Sequence, residues 1–291
     1  MKNQALSLLL VWLCAILFSC SDKPTHQYQE ATVVYSNLPG TEPNLFSMDI
    51  YYFGDDSLRP VIFWVHGGGW SIGDKGNNLT TKLNWAWEQG YVLVSVNYRL
   101  SKSNNSVQFP DHSNDVADAL ARVYSTIYTY GGDSSRIATM GHSAGAHLVA
   151  LLASDLSYLT SRGLPADAVK GTVCLDTEGY DVYAKMNEDP HLNFYQEAFG
   201  SNAQDWIQAS PLHHIQQDSG LFQPFFLVTR GNNGRVQMAE DFRDALQNRN
   251  VAVTLIDASP YSHSKVNDMA GSPDDSKFTP VMTAFYQGLF N

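Results

Sequence analysis

The chain has 291 residues, 44% hydrophobic and 12% aromatic, which is enough apolar side chain for one large core. Its formal charge of −11, with only 18 lysines and arginines, excludes the clustered cations that a nucleic-acid backbone requires. Three cysteines, at 14, 20 and 174, leave stability to the core rather than to disulfides.

At the N-terminus Lys2 precedes an almost wholly apolar stretch, 6–18, and then Leu17-Phe18-Ser19-Cys20. That stretch is too short for a comfortable membrane span and has the charge placement of an export signal. It resembles a bacterial lipoprotein signal. The resemblance implies that Cys20 is lipidated and becomes the first mature residue, so that the protein is exported and held on the periplasmic or outer-surface side of the cell envelope, touching the membrane through its lipid alone. Residues 1–20 are then the signal, polar residues 21–30 a tether, and 31–291 the folded domain.

Within that domain, 32–35 and 45–53 read as an opening pair of strands, separated by Pro39-Gly40 and Pro43. The apolar run 60–65 is a strand covered on both faces, and it leads into His66-Gly67-Gly68-Gly69-Trp70. A helical pattern through Leu79, Leu83 and Ala86 stops at Gly90, and 91–96 is the next buried strand. A second helix starts at Asp111, carries Val116, Leu120, Val123 and Ile127 on one face, and ends at Gly131-Gly132-Asp133. The short strand 136–140 then meets Gly141-His142-Ser143-Ala144-Gly145 and a long Ala/Leu run. Strands follow at 169–175, 224–229 and 251–256, with helices at 236–247 and 278–289, and 177–223 is an insertion with helical pieces near Phe194 and Trp206. Eight strands alternating with helices predict an α/β fold: a mostly parallel sheet with helices on both faces and the insertion as a small lid.

The pentapeptide carries the chemistry. A serine on so tight a strand-to-helix turn sits in strained backbone, and side chains at the flanking positions would collide with strand or helix, which is why Gly141 and Gly145 belong there. The helix beginning at Ala144 points its first amides at any negative charge formed beside the hydroxyl, so Ser143 is the candidate nucleophile. Cys174, in Val173-Cys174-Leu175, reads as packing. Neither an H-E-x-x-H nor a cysteine pair is present, and no metal or cofactor is expected.

The elbow, the triple-glycine loop after the third strand, Phe109-Pro110 and the run from Gly131 to His147 resemble the α/β-hydrolase superfamily. They are most similar to its hormone-sensitive-lipase-like carboxylesterases, in the small-capped branch that includes arylformamidases and xylan-associated or feruloyl esterases. The resemblance covers about residue 31 to the C-terminus. It implies an oxyanion hole from the amides of Gly67, Gly68 and Ala144, with Gly69 as a substitute, and a base after the last strand, where His263 stands. His66 is expected to brace its own loop, and His142, His147, His213 and His214 to pack. The family's usual acid position after the seventh strand is occupied here by Gly234, in Thr229-Arg230-Gly231-Asn232-Asn233-Gly234-Arg235. Asp176, at the C-terminal end of the preceding strand, is the leading substitute, with Glu178, Asp181, Glu240, Asp241, Asp257 or an acid-free dyad as rivals. Asp176→Asn is expected to leave the melting temperature nearly unchanged.

Together these readings imply a serine hydrolase that cleaves carboxylic esters through an acyl-enzyme, on small esters or on acetylated or feruloylated plant polysaccharide. The alternatives are an arylformamidase acting on an N-formyl amide and a catalytically idle binding lipoprotein. Trp70, Tyr180, Tyr183, Phe194, Tyr195 and Trp206 are candidates for a cleft or for the core.

Overall fold

The computed structural model describes residues 28–189, 193–218 and 220–291. The signal with Cys20, and the tether as far as Gln27, lie outside the described residues. The strands are β1 (Gln29–Val34), β2 (Ser47–Tyr52), β3 (Arg59–Val65), β4 (Val92–Val96), β5 (Gly132–His142), β6 (Val169–Leu175), β7 (Phe225–Thr229) and β8 (Val253–Asp257). They form one sheet in the order β1-β2-β4-β3-β5-β6-β7-β8, in which β2 runs antiparallel to both of its neighbours and every pairing from β4 onward is parallel.

The helices are α1 (Thr80–Gln89), α2 (Asp111–Thr126), α3 (Ala144–Ser154), α4 (Ser157–Thr160), α5 (Val182–Glu188), α6 (Asn193–Phe199), α7 (Ala203–Gln208), α8 (Pro211–Gln217), α9 (Asn233–Asn248), α10 (His263–Met269) and α11 (Thr279–Phe290). Alternate strand residues face opposite layers, as the two-residue period of a strand demands. Phe63, Val94 and Leu227 pack with Leu120 of α2, Leu148 of α3 and Phe242 of α9. Ile62, Trp64 and Phe226 pack with Leu83 of α1, Val266 of α10 and Tyr286 of α11.

Most element ends shift from the sequence reading by a few residues, and three differences have a physical cause. The fold begins before residue 31: the Tyr28 ring packs edge-on to Trp87 and Phe53 and its hydroxyl donates to the Tyr91 carbonyl at 3.1 Å, so 28–30 belong to the domain. Strand β5 starts at Gly132 rather than Arg136, because its parallel partner β3 extends to Arg59 and pairs with it there. His263, placed by sequence only after the last strand, is the first residue of α10, whose N-cap Ser262 accepts from the Lys265 amide. The insertion 177–223 folds as α5 to α8. Its α8 packs on α3, and His147 of α3 donates from Nε2 to the Ala209 carbonyl at 2.8 Å.

The elbow depends on close backbone crossing. A Cβ on Gly141 would lie 2.3 Å from the Gly145 carbonyl oxygen, and one on Gly145 would lie 2.1 Å from the Val65 carbonyl oxygen. Both obstacles are backbone atoms that cannot swing aside. Gly145→Ala should therefore lower stability by about 3 kcal/mol or more, the upper part of the overpacking range, measured as a urea midpoint; a midpoint equal to wild type would show that the elbow can open.

Candidate active site

Ser143 joins β5 to α3 at φ 55° and ψ −120°, a strained region for a residue with a side chain. The strain is held from both sides, since the Ser143 amide donates to the Leu175 carbonyl at 2.9 Å and its carbonyl accepts from the His147 amide at 3.1 Å. Its hydroxyl is thereby left facing a cleft of about 860 Å³ that is also lined by Gly67, Gly68, Trp64, Phe194 and His263.

His263 lies 120 residues away and its Nε2 is 2.9 Å from Ser143 Oγ. Its Nδ1 is 2.6 Å from Asp176 Oδ2, and because a carboxylate only accepts, Nδ1 carries the proton and Nε2 offers its lone pair to the serine hydroxyl. His142 steadies this ring from below: it is buried, its ring centroid is 4.5 Å from that of His263, and its Nε2 donates to the His263 backbone carbonyl at 3.0 Å. Burial, with His263 and Lys82 nearby, pushes the His142 pKa down to about 3, so the ring stays neutral and keeps that role. Lys82, wholly buried, ties α1 to α10 by donating to the carbonyls of Asn78 at 3.0 Å and Asn267 at 2.8 Å.

Asp176 follows β6 with φ 52°, and its amide donates to the Val228 carbonyl at 2.8 Å. Its carboxylate is completely buried. Oδ2 accepts from Arg230 Nε at 2.6 Å as well as from His263, and Oδ1 accepts from Arg235 Nη1 at 2.8 Å. Burial alone pushes this carboxyl up, but the His263 hydrogen bond and the two guanidiniums outweigh it and hold Asp176 below the usual carboxylate range. Both arginines come from the segment after β7, where the sequence offers no acid. Cations standing in place of the expected anion were the signal that the anion would arrive from a neighbouring strand. None of the rival carboxylates contacts the base: Glu178 pairs with Arg235 and Lys185, Asp181 caps α5, Glu240 pairs with Arg243, Asp241 accepts from Gln237, and Asp257 accepts from the Ser259 amide.

The triple-glycine loop runs against the nucleophile, with a Cβ built on Gly67 falling 3.0 Å from Ser143 Cβ. Gly68, at φ 115°, turns its carbonyl to the amides of Ser71 and Ile72, at 3.1 and 3.0 Å. Among the described residues the amides of Gly67 and Gly68 make no hydrogen bond, and Ala144, first in α3, has no carbonyl one turn earlier to receive its own. Three free donors beside a hydroxyl, an imidazole and a buried carboxylate can take a proton from Ser143 and receive negative charge on an attacked carbonyl oxygen.

Most of the other candidates are held within the fold. His66 Nδ1 is 2.7 Å from the Gly67 carbonyl, within its own loop. His147 accepts from Trp70 Nε1 at 3.2 Å, and burial pushes its pKa down to about 4. Cys174 is buried and its thiol is pushed up by that burial. Of the six aromatic candidates, Phe194 lines the cleft; Trp70, Tyr180 and Tyr195 are core residues, Trp206 packs against that core, and Tyr183 faces a separate groove.

A family model described as BD-FAE matches residues 48–241. The probable carboxylic ester hydrolase LipM of Mycobacterium tuberculosis is 32% identical over 205 residues, covering 65% of this chain and 45% of LipM. The isoprenylcysteine alpha-carbonyl methylesterase ICME of Arabidopsis thaliana is 24% identical over 273 residues, covering 88% of this chain and 61% of its own. The chain thus spans about half the length of the curated relatives it matches. Esterase B from Lactobacillus Rhamnosis superposes with a TM-score of 0.72 at 19% identity, covering 92% of this chain and 87% of its own. A truncated carbohydrate esterase from gut microbiota does so with a TM-score of 0.74 at 17% identity, covering 92% and 98%. At such low identity these two establish the α/β-hydrolase fold.

Asp176→Asn removes the charge that two arginines and the base share. Turnover of an ester substrate should fall on the order of 10⁴-fold, as when the aspartate of a serine-protease triad is neutralised. In contrast to the sequence expectation, the variant should also lose about 3 kcal/mol of stability, because breaking a buried ion pair leaves its partners uncompensated. Unchanged turnover, read beside the urea midpoint, would remove Asp176 from the chemistry.

Proposed function

The chain belongs to the BD-FAE family and has the α/β-hydrolase fold; from that premise we propose that it is a serine esterase that cleaves carboxylic esters through an acyl-enzyme. The observation that carries this reading is the unbroken chain from Ser143 Oγ through His263 to Asp176, at 2.9 and 2.6 Å. Ser143 Oγ attacks the ester carbonyl carbon as His263 Nε2 takes its proton, and the oxygen that becomes negative is met by the amides of Gly67, Gly68 and Ala144. Asp176 stabilises the imidazolium. The tetrahedral centre collapses, the carbon–oxygen bond to the alcohol breaks, and His263 returns the proton to the departing alkoxide. Water, deprotonated by the same imidazole, then releases the acid and restores Ser143. The idle-binding alternative rested on a missing acid, and Asp176 fills that role in this scheme.

The substrate we propose is an ester whose alcohol part carries further hydroxyls, as in acetylated or feruloylated polysaccharide. Among the described residues Trp64 Nε1, His66 Nε2 and Asn267 Oδ1 are buried polar atoms without partners, and all three residues line the cleft. With the His66 Nδ1 proton on the Gly67 carbonyl and its pKa lowered chiefly by burial, Nε2 is an acceptor. One donor and two acceptors suit hydroxyl groups, which do both. A structural relative named as a carbohydrate esterase is in keeping with this. We also propose export and lipid anchoring through Cys20, on the strength of the N-terminal pattern.

Purified protein should hydrolyse acetyl esters, and acetylated or feruloylated xylan better than simple alkyl esters or N-formyl amides. A fluorophosphonate should label it, and Ser143→Ala should abolish both turnover and labelling while preserving the melting temperature. Turnover by Ser143→Ala within tenfold of wild type would overturn the nucleophile, and a preference for the N-formyl amide would overturn the substrate class. Cys20→Ser should move the protein out of the membrane fraction; unchanged processing and membrane recovery would rule out lipidation there.

A further inference from the structure

Where α3 and α8 end, at residues that do not line the cleft, we propose a divalent-cation site built from Asp155, His214 and Asp218. It takes a zinc-like first-row ion and staples α8 of the insertion to the end of α3. One ligand atom from each residue lies within 4.8 Å of the other two.

His214 is 7% exposed, and its Nε2 lies 2.8 Å from the Gln208 carbonyl. A carbonyl only accepts, so Nε2 carries the proton and Nδ1 turns a bare lone pair toward the two carboxylates. Its nearest oxygen, Asp218 Oδ2, is 4.0 Å away, too far for a hydrogen bond. Asp155 Oδ1 accepts from the Ser157 amide at 3.0 Å, and among the described residues no side-chain donor pairs with the three acceptors that converge here. Among the described residues no lysine or arginine pairs with Asp155 or Asp218, and Arg249, which is close by, is committed to the carbonyls of Ile215 and Gln216.

The backbone adds to the imbalance. Asp155 is the C-cap of α3 and Asp218 the C-cap of α8, so two helices bring their negative ends to the same place. An imidazole whose other nitrogen donates to a backbone carbonyl is the orientation that metal-bound histidines adopt. A nitrogen ligand with two carboxylates suits zinc or manganese, whereas calcium prefers oxygen alone. Tetrahedral zinc–ligand distances of about 2.0–2.2 Å separate ligand atoms by roughly 3.3–3.6 Å, so Asp218 Oδ2, 4.0 Å from His214 Nδ1 on a side chain that is 50% exposed, has about half an ångström to close.

Eleven helical residues, about 16 Å, separate this cluster from Ser143, so the ion's role is structural. It would hold the insertion, which carries Phe194 into the cleft, on the helix that starts at the nucleophile. Spacing rules miss such a set because Asp155 lies 59 residues before His214 in the sequence.

The test is independent of ester hydrolysis. Chelator-treated protein should take up about one equivalent of Zn²⁺ by calorimetry and elemental analysis, with a rise in Tm of several degrees. Asp218→Asn, at an exposed position, should weaken uptake at least tenfold and abolish the Tm rise, and Asp155→Asn should do the same. Co²⁺ in place of Zn²⁺ should show a visible ligand-field band in wild type that is lost in both variants. No uptake by wild type, uptake that the two variants leave unchanged, or stability that follows pH but not Zn²⁺ would each overturn the site, the last in favour of a plain imidazolium–carboxylate pair.

Discussion

A fully buried carboxylate is the constraint around which this molecule is arranged. Asp176 has no access to water, so its charge persists only where other groups donate to it. Three do: His263 from the segment after β8, and Arg230 and Arg235 from the segment after β7. The ends of β6, β7 and β8 are thereby drawn to one point. Arg235 also reaches Glu178, which pairs with Lys185 of α5, so the same network runs on into the insertion. Two arginines on one triad-like acid also fix its orientation more firmly than a single hydrogen bond would, since both oxygens are engaged.

The other half of the site is made by backbone rather than charge. Because β3 and β5 are neighbours, Gly141 stands beside Val65 and the loop after β3 passes beside the turn after β5. Glycine at 141 and 145 lets α3 start close to the sheet, and Gly67 of the loop after β3 lies against Ser143. His142, on the same turn, braces the carbonyl of His263. Ser143 and the backbone of His263 are in this way held by one short stretch of chain.

The cleft has two characters. Phe194, 42% exposed, gives the insertion side an apolar wall, while the floor holds unpartnered polar atoms of Trp64, His66 and Asn267. Native structures rarely leave such atoms unsatisfied without a reason. The insertion's attachment to α3 through His147 then bears on how firmly the apolar wall is held.

The sequence by itself determined what is local. Alternation of buried strands with amphipathic helices specified the α/β class, and G-H-S-A-G with its flanking runs specified a strained strand-to-helix turn. The glycines after β3 marked a loop of exposed amides. Each of these signals is carried by residues a few positions apart, where the periods of strand and helix act directly. Tertiary structure alone decided which carboxylate meets His263, because that contact joins residues 87 apart and depends on β6 lying between β5 and β7 and on both arginines folding back over it. It also decided that His142 bonds the His263 carbonyl and that Tyr28 belongs to the domain. In every such case the partner is distant in sequence, and a side chain's role follows from the neighbours that sheet order and loop closure bring to it rather than from its own surroundings in the chain.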